Sequence, residues 1–181
     1  MTARATTAGR EADPASALRR AVVALTAASI AGIATELVIE RHWGPIVRLI
    51  PWLALLVAAI ALAMLVRRPS ARTIRSVRIV AVALLVTSLA GVALHVNENY
   101  TAGPLDARYS EHWESMDEPS RWWAAFTKSV GPAPTFAPGA LAEVGLLLSI
   151  ATLRHPALGV PISGTTLDAR SDVAGVAGGR L

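Results

Sequence analysis

Four ionisable side chains stand inside stretches of chain otherwise apolar enough to cross a bilayer: Glu36, Arg48, His95 and Glu143. Carrying such a group to mid-membrane costs about 2.5–3.5 kcal/mol on insertion scales, so each is expected to face a helix contact and to be paired. Two carboxylates and an imidazole can hold a divalent metal, relay protons, or grip the head of a quinone or another small polar ligand. The same residues also make an ion-pair network. Arg48 would then pair with Glu36 or Glu143, with His95 bridging, and the group would lock the bundle. Glu40, His42, Glu98 and His112 lie just outside the apolar runs and extend the set. His95 and Glu98 are three apart and share a helical face, in the reverse order of the Glu-x-x-His of di-iron bundles. Residue types alone leave the metal, proton, ligand and ion-pair readings open, and no metal-ligand set is assigned.

Spacing brings these residues toward one level. Ala24, Ala28, Gly32, Glu36 and Glu40 recur every fourth residue, a rotation of roughly 400° that keeps them on one slowly drifting helix face. Small residues on such a face admit a close neighbour, which predicts that Glu36 points into a helix contact. Ala83, Thr87, Gly91 and His95 repeat the pattern, and Gly139 precedes Glu143 by the same step. At about 1.5 Å of rise per residue, Glu36, His95 and Glu143 fall within roughly 10 Å of the same ends of their helices.

The elements that must carry them are membrane helices. The chain has 181 residues, one domain by length, with 53% apolar and only 17% charged residues. A soluble domain of this size needs more polar surface. The fold class is all-α: a polytopic membrane protein with a four-transmembrane-helix bundle over residues 17–155. The spans run over about 18–39, 46–66, 79–96 and 137–153. An outer loop covers 97–136, and polar tails at 1–16 and 156–181 read as disordered. Arg19-Arg20 before an apolar run also suits a signal peptide, but the run continues past any cleavage site, so a first span is the better reading.

Counting Arg and Lys by side gives 12 for the N-tail, the hinge after span two and the C-tail, against 5 for the opposite side. The chain is therefore expected in a bacterial inner (plasma) membrane with both termini cytoplasmic. All five tryptophans fall on the other side, where an interfacial belt belongs. The net charge of +4 does not point to nucleic acid, because the basic residues flank apolar runs and face lipid head groups. The absence of cysteine excludes disulfides and thiolate chemistry.

The outer loop has its own pattern. Pro119 suits a first helical position and Gly131 a helix stop, with Trp122, Trp123, Phe126 and Val130 on one face between them. Tyr109, Trp113 and Met116 form a shorter stripe. Both predict short amphipathic helices that lie on the bilayer or cap the bundle mouth, forming an aromatic lid. Pro132, Pro134 and Pro138 predict a stiff, extended approach to the last span.

A helix-borne Glu, the run Ala-Leu-His95-Val before a Gly turn, and a fourth helix opening Gly139-Ala-Leu-Ala-Glu143 resemble DoxX-type small four-helix membrane proteins. The resemblance covers two short pieces, and the long outer segment departs from the pattern. It implies a quinone- or sulfur-linked redox role. No glycine-rich phosphate loop, Gly-x-Ser-x-Gly or His-Glu-x-x-His is present. The leading expectation is a non-enzymatic membrane subunit, sensor or scaffold whose lid meets a membrane-complex partner or a second copy. Alternatives are a redox, quinone- or metal-linked protein using the polar cluster, and an oligomeric transporter. No cofactor is required; a quinone or divalent metal is what the cluster would hold.

Overall fold

The computed structural model describes residues 14–159. All regular structure among them is helical: α1 (Pro14–Ile39), α2 (Ile50–Arg67), α3 (Ala71–Ala102), α4 (Glu118–Phe126) and α5 (Gly139–Ala151), with short 3₁₀ turns between and after them. Three are long and apolar enough to cross a membrane: α1, α2 with the 3₁₀ turn before it, and α3. With 13 residues, α5 is shorter, about 20 Å at the usual rise.

Several boundaries move from their expected places for identifiable reasons. α1 is already helical at Pro14, the first described residue, four residues before the expected start near 18. The span expected from 46 opens as a 3₁₀ turn over Ile46–Leu49, and α2 proper starts one residue before Pro51. The arginine hinge is largely helix. The Ser70 hydroxyl accepts the Thr73 N–H at 3.1 Å, so α3 starts directly after Ser70 and takes in Arg72, Arg75 and Arg78.

At its other end α3 continues to Ala102, about one and a half turns past the last apolar residue of the span, because Asn99 and Tyr100 are held by contacts from distant sequence. α4 stops at Phe126, before Val130. Lys128 adopts a left-handed φ of 56°, and Gly131, with φ 79°, turns the chain back onto Asn99. The Tyr109, Trp113 and Met116 stripe is a series of turns with a single 3₁₀ turn at Trp113–Ser115. The expected C-terminal tail starts with a 3₁₀ turn at Pro156–Leu158, where the Ala157 N–H donates to His155 Nδ1. The remaining tail expectations, for residues 1–13 and 160–181, lie outside the described residues.

α5 lies against α1, α2 and α3. Leu55, Ala58, Leu62 and Leu65 of α2, Ile74, Val77, Ala81 and Leu84 of α3, and Leu141, Val144, Leu148 and Ala151 of α5 form one buried cluster. Gly145 lets α5 and α3 approach closely, since a Cβ there would sit 2.8 Å from the Ala81 carbonyl oxygen. The flanks of α2 and α3 stay apolar and exposed along Leu53, Leu56 and Ile60 and along Ile79, Val82, Val86 and Leu89.

The two ends differ in chemistry. At one, the arginine end, Arg78 donates to the Thr152 carbonyl at 2.9 Å and places a cation at the C-terminus of α5, where the helix dipole favours it. The other is closed by residues 103–138 and is called the capped end below.

Candidate functional site

The cap is organised around a buried amide. Asn99 is fully buried on α3, and its Oδ1 accepts the Ala133 N–H at 2.8 Å. Its Nδ2 reaches the Ala133 carbonyl at 2.9 Å and the Ala125 carbonyl and Thr135 hydroxyl at 3.2 Å each. Two amide hydrogens thus serve three acceptors, and the Thr135 hydroxyl also points to the Ala125 carbonyl. One side chain thereby ties the end of α4 and the proline-rich segment to α3.

Beside it Tyr100 stacks on Trp122 with ring centroids 4.2 Å apart and meets the edge of Trp113 at 5.5 Å. Trp113 is buried and also packs against Tyr109. Its ring lies so close over Gly103 that any Cβ there would overlap it. Asp106 accepts from the Arg108 guanidinium at 2.7 Å, from the Arg108 N–H at 3.0 Å and from the Gly131 N–H at 3.1 Å. These bonds, Arg108's first, hold its carboxyl well below the usual carboxylate range. Glu118 accepts from Trp122 Nε1 at 3.1 Å and stands 3.8 Å from Arg121.

Among the lid aromatics, the expected single face is therefore split. Trp113 and Val130 are buried and Trp122 covers Tyr100, whereas Trp123 and Phe126 stack on each other on the outside, 5.9 Å apart. Phe136, which the sequence pattern did not single out, meets Phe126 edge to face at 5.2 Å. A surface cleft of about 540 Å³ is lined by Tyr109, Met116, Pro119, Ser120, Trp123, Ala124 and Ser129.

The ionisable set is only partly gathered. His95 is half-buried, and its Nδ1 lies 2.8 Å from the Pro134 carbonyl. A carbonyl can only accept, so Nδ1 carries the hydrogen and Nε2 is left to face elsewhere. His42 lies in the turn after α1, whose backbone carbonyl accepts Trp52 Nε1 at 2.8 Å. Its pKa is lowered by burial first, then by the nearby charges of Arg48 and His95, with Glu40 opposing. Arg48, His95 and Glu40 are thus near enough to act on His42.

The carboxylates Glu36 and Glu143 are exposed on the sides of their helices. Glu143 accepts from the Ser29 hydroxyl of α1 at 2.9 Å. The expected pairing with Arg48 does not form. The ion pairs among the described residues are Arg108–Asp106 and Arg121–Glu118. The face of α1 carrying Ala24, Ala28, Gly32 and Glu36 points away from the other helices, because its neighbours Val22, Thr26, Ile30, Ile33 and Leu37 take the packing role. Glu98 is exposed at the capped end of α3, and His112 rests beside Tyr109. Among the described residues no group of three or more His, Asp or Glu side chains is placed to hold a metal ion.

Asn99 and Phe136 are the residues that residue-type reasoning missed. Asn99 reads in sequence as part of an Asn-Tyr-Thr sequon, and its role depends on chain 26 and 34 residues further on.

No protein-family model, curated protein or solved structure matches this chain.

Proposed function

We propose that the protein is a non-enzymatic integral membrane subunit, sensor or scaffold of the plasma membrane. In this reading it crosses four times, keeps both termini in the cytoplasm, and presents the cap outside as a preformed recognition surface for a membrane-complex partner. The observation that carries the reading is the cap itself. Its polar interior is bonded through Asn99 and its aromatic core is closed, so a partner meets an ordered surface and loses little binding energy to ordering it.

The fourth crossing is supported by the registry of residues 134–152 on α3. Pro134 is bonded to His95, Pro138 accepts from Ser88 at 2.8 Å, and Thr152 accepts from Arg78. This stretch therefore runs beside α3 from position 95 down to position 78, about 26 Å, close to a hydrocarbon core of roughly 30 Å. Irregular backbone at that depth must be satisfied internally. Pro134 and Pro138 carry no N–H, and the carbonyls of both are bonded. Orientation is supported by the 12-to-5 excess of Arg and Lys at the arginine end.

A second reading, a DoxX-like protein binding a quinone or other polar ligand, is favoured by the grouping of His42, Arg48 and His95 at the capped end. Native mass spectrometry of detergent-purified protein, with metal analysis on the same sample, separates the two. Bare protein supports the scaffold reading. A stoichiometric quinone or metal that disappears with His95→Ala overturns it. Because the chain has no cysteine, a single cysteine at Ser110 should react with an impermeant maleimide on intact cells, and one at Leu181 should not.

A further inference from the structure

We propose that Trp123, Phe126 and Phe136 rest in the leaflet nearest the cap, at the boundary between lipid head groups and acyl chains, so that the cap is anchored to the bilayer as well as to α3. This inference rests on the reading that α3 crosses the membrane, and on neither its direction nor the identity of a partner.

Depth carries the argument. The apolar run of α3 ends at Val96, followed by the exposed polar Asn97 and Glu98. Phe136 is bracketed between bonds to that helix, Pro134 to His95 and Thr135 to Asn99 above, and Pro138 to Ser88 below. Seven residues of helix, about 10 Å, separate His95 from Ser88 on the apolar side of the boundary, and Asn99 stands one turn above His95 on the polar side. Phe136 is nonetheless 62% exposed. Leu89 and Leu94, on the same stretch of α3, are exposed apolar residues as well, so an exposed phenylalanine held at this depth faces hydrocarbon.

The other two rings continue upward from it. Phe126 is 5.2 Å from Phe136 and Trp123 is 5.9 Å from Phe126, while the α4 backbone at Ala125 is pinned to Asn99, one turn above His95. The bonds of Ala125 and Thr135 to Asn99, with Pro138 held at Ser88, place this row of rings at the apolar-to-polar transition of α3. The row ends in an exposed tryptophan, the ring that suits the head-group level. Lys128, exposed two residues past Phe126, adds a cation at the level of lipid phosphates. In water the same rings would form an unsupported apolar patch on an otherwise well-bonded cap.

The test uses single cysteines at Trp123, Phe126 and Phe136 in the full chain, spin-labelled and reconstituted into phosphatidylcholine–phosphatidylglycerol liposomes. Relaxation by oxygen, which concentrates in lipid, is compared with relaxation by a water-soluble nickel chelate. Leu89→Cys serves as the lipid reference and Glu111→Cys as the aqueous one. The expected result is a Leu89-like oxygen preference at 126 and 136 and an intermediate ratio at 123. A Glu111-like nickel preference at all three, with Leu89 still in lipid, overturns the inference and leaves the membrane reading standing. Shielding from both reagents overturns it as well, since protein then covers the patch. Nickel access at Leu89 removes the membrane reading and this inference together. Trp123→Cys, which loses only one ring contact, carries the test if a phenylalanine variant loosens the cap.

Discussion

Asn99→Ala should open the cap while leaving the helices in place. The substitution strands the buried Ala133 N–H, worth about 1–3 kcal/mol, and removes bonds to two carbonyls at roughly 0.5–1.5 kcal/mol net each. Water entering at the cap returns part of this loss, so local opening should become easier by about 3 kcal/mol, roughly 100-fold at 1.4 kcal/mol per tenfold. Hydrogen exchange by mass spectrometry in nanodiscs reads this directly where closing outpaces exchange. Peptides over residues 123–136 should exchange about 100-fold faster, while those over the apolar part of α3 should be unchanged. Asn97→Ala is the control: Asn97 is exposed on the same helix, and its substitution should stay within about 0.5 kcal/mol. If Asn99→Ala leaves exchange over 123–136 at the wild-type rate, the buried amide is not what holds the cap, and the case for a preformed surface fails with it.

Gly103→Ala should displace Trp113, costing about 1–3 kcal/mol as overpacking does, and should appear as faster proteolysis between residues 103 and 138. Gly145→Ala pushes a Cβ against the Ala81 carbonyl and should lower the melting temperature in detergent without affecting the cap. Glu143→Gln should not destabilise the protein, because glutamine still accepts from Ser29 and the apolar span no longer carries an ionisable group; a loss above about 1 kcal/mol would mean that its charge is paired. His42 and His155 both have pKa values below the ordinary 6.5, chiefly through burial, with Arg48 and His95 acting on the first and Arg19 on the second. The unfolded chain therefore takes up these protons first. Their contribution is intact above pH 6.5 and is lost as the pH falls through the folded values. The melting temperature should drop between pH 7.5 and 5, and His42→Gln with His155→Gln should flatten that drop.

Much of the architecture is legible in sequence because its causes are local. An uninterrupted apolar run around 21–39 or 50–66 has no competing structure, and a serine before Thr73 or a proline at 119 sets a helix start within one turn. The clustering of arginine at one end and tryptophan at the other is likewise a property of order along the chain. Where local signals were ambiguous, the reading slipped. The Tyr109, Trp113 and Met116 spacing looks helical, yet Trp113 packs on Tyr100 and Tyr109, and Met116 packs against the same buried cluster.

The candidate site depended on which helix faces meet. Helical spacing put Glu36 on a face of small residues but could not say whether that face packs. The bulkier Ile30, Ile33 and Leu37 bury more area and turn Glu36 outward. Spacing placed His95 on α3 without naming its partner, which is a backbone carbonyl 39 residues away. A hydrogen bond gives its donor no preference in sequence among acceptors, since every residue offers the same carbonyl. Composition and order could therefore place four polar groups near one end of the helices. Only the packed chain could give His95 to Pro134, Glu143 to Ser29 and the centre of the cap to Asn99, because those choices follow from which surfaces exclude water together.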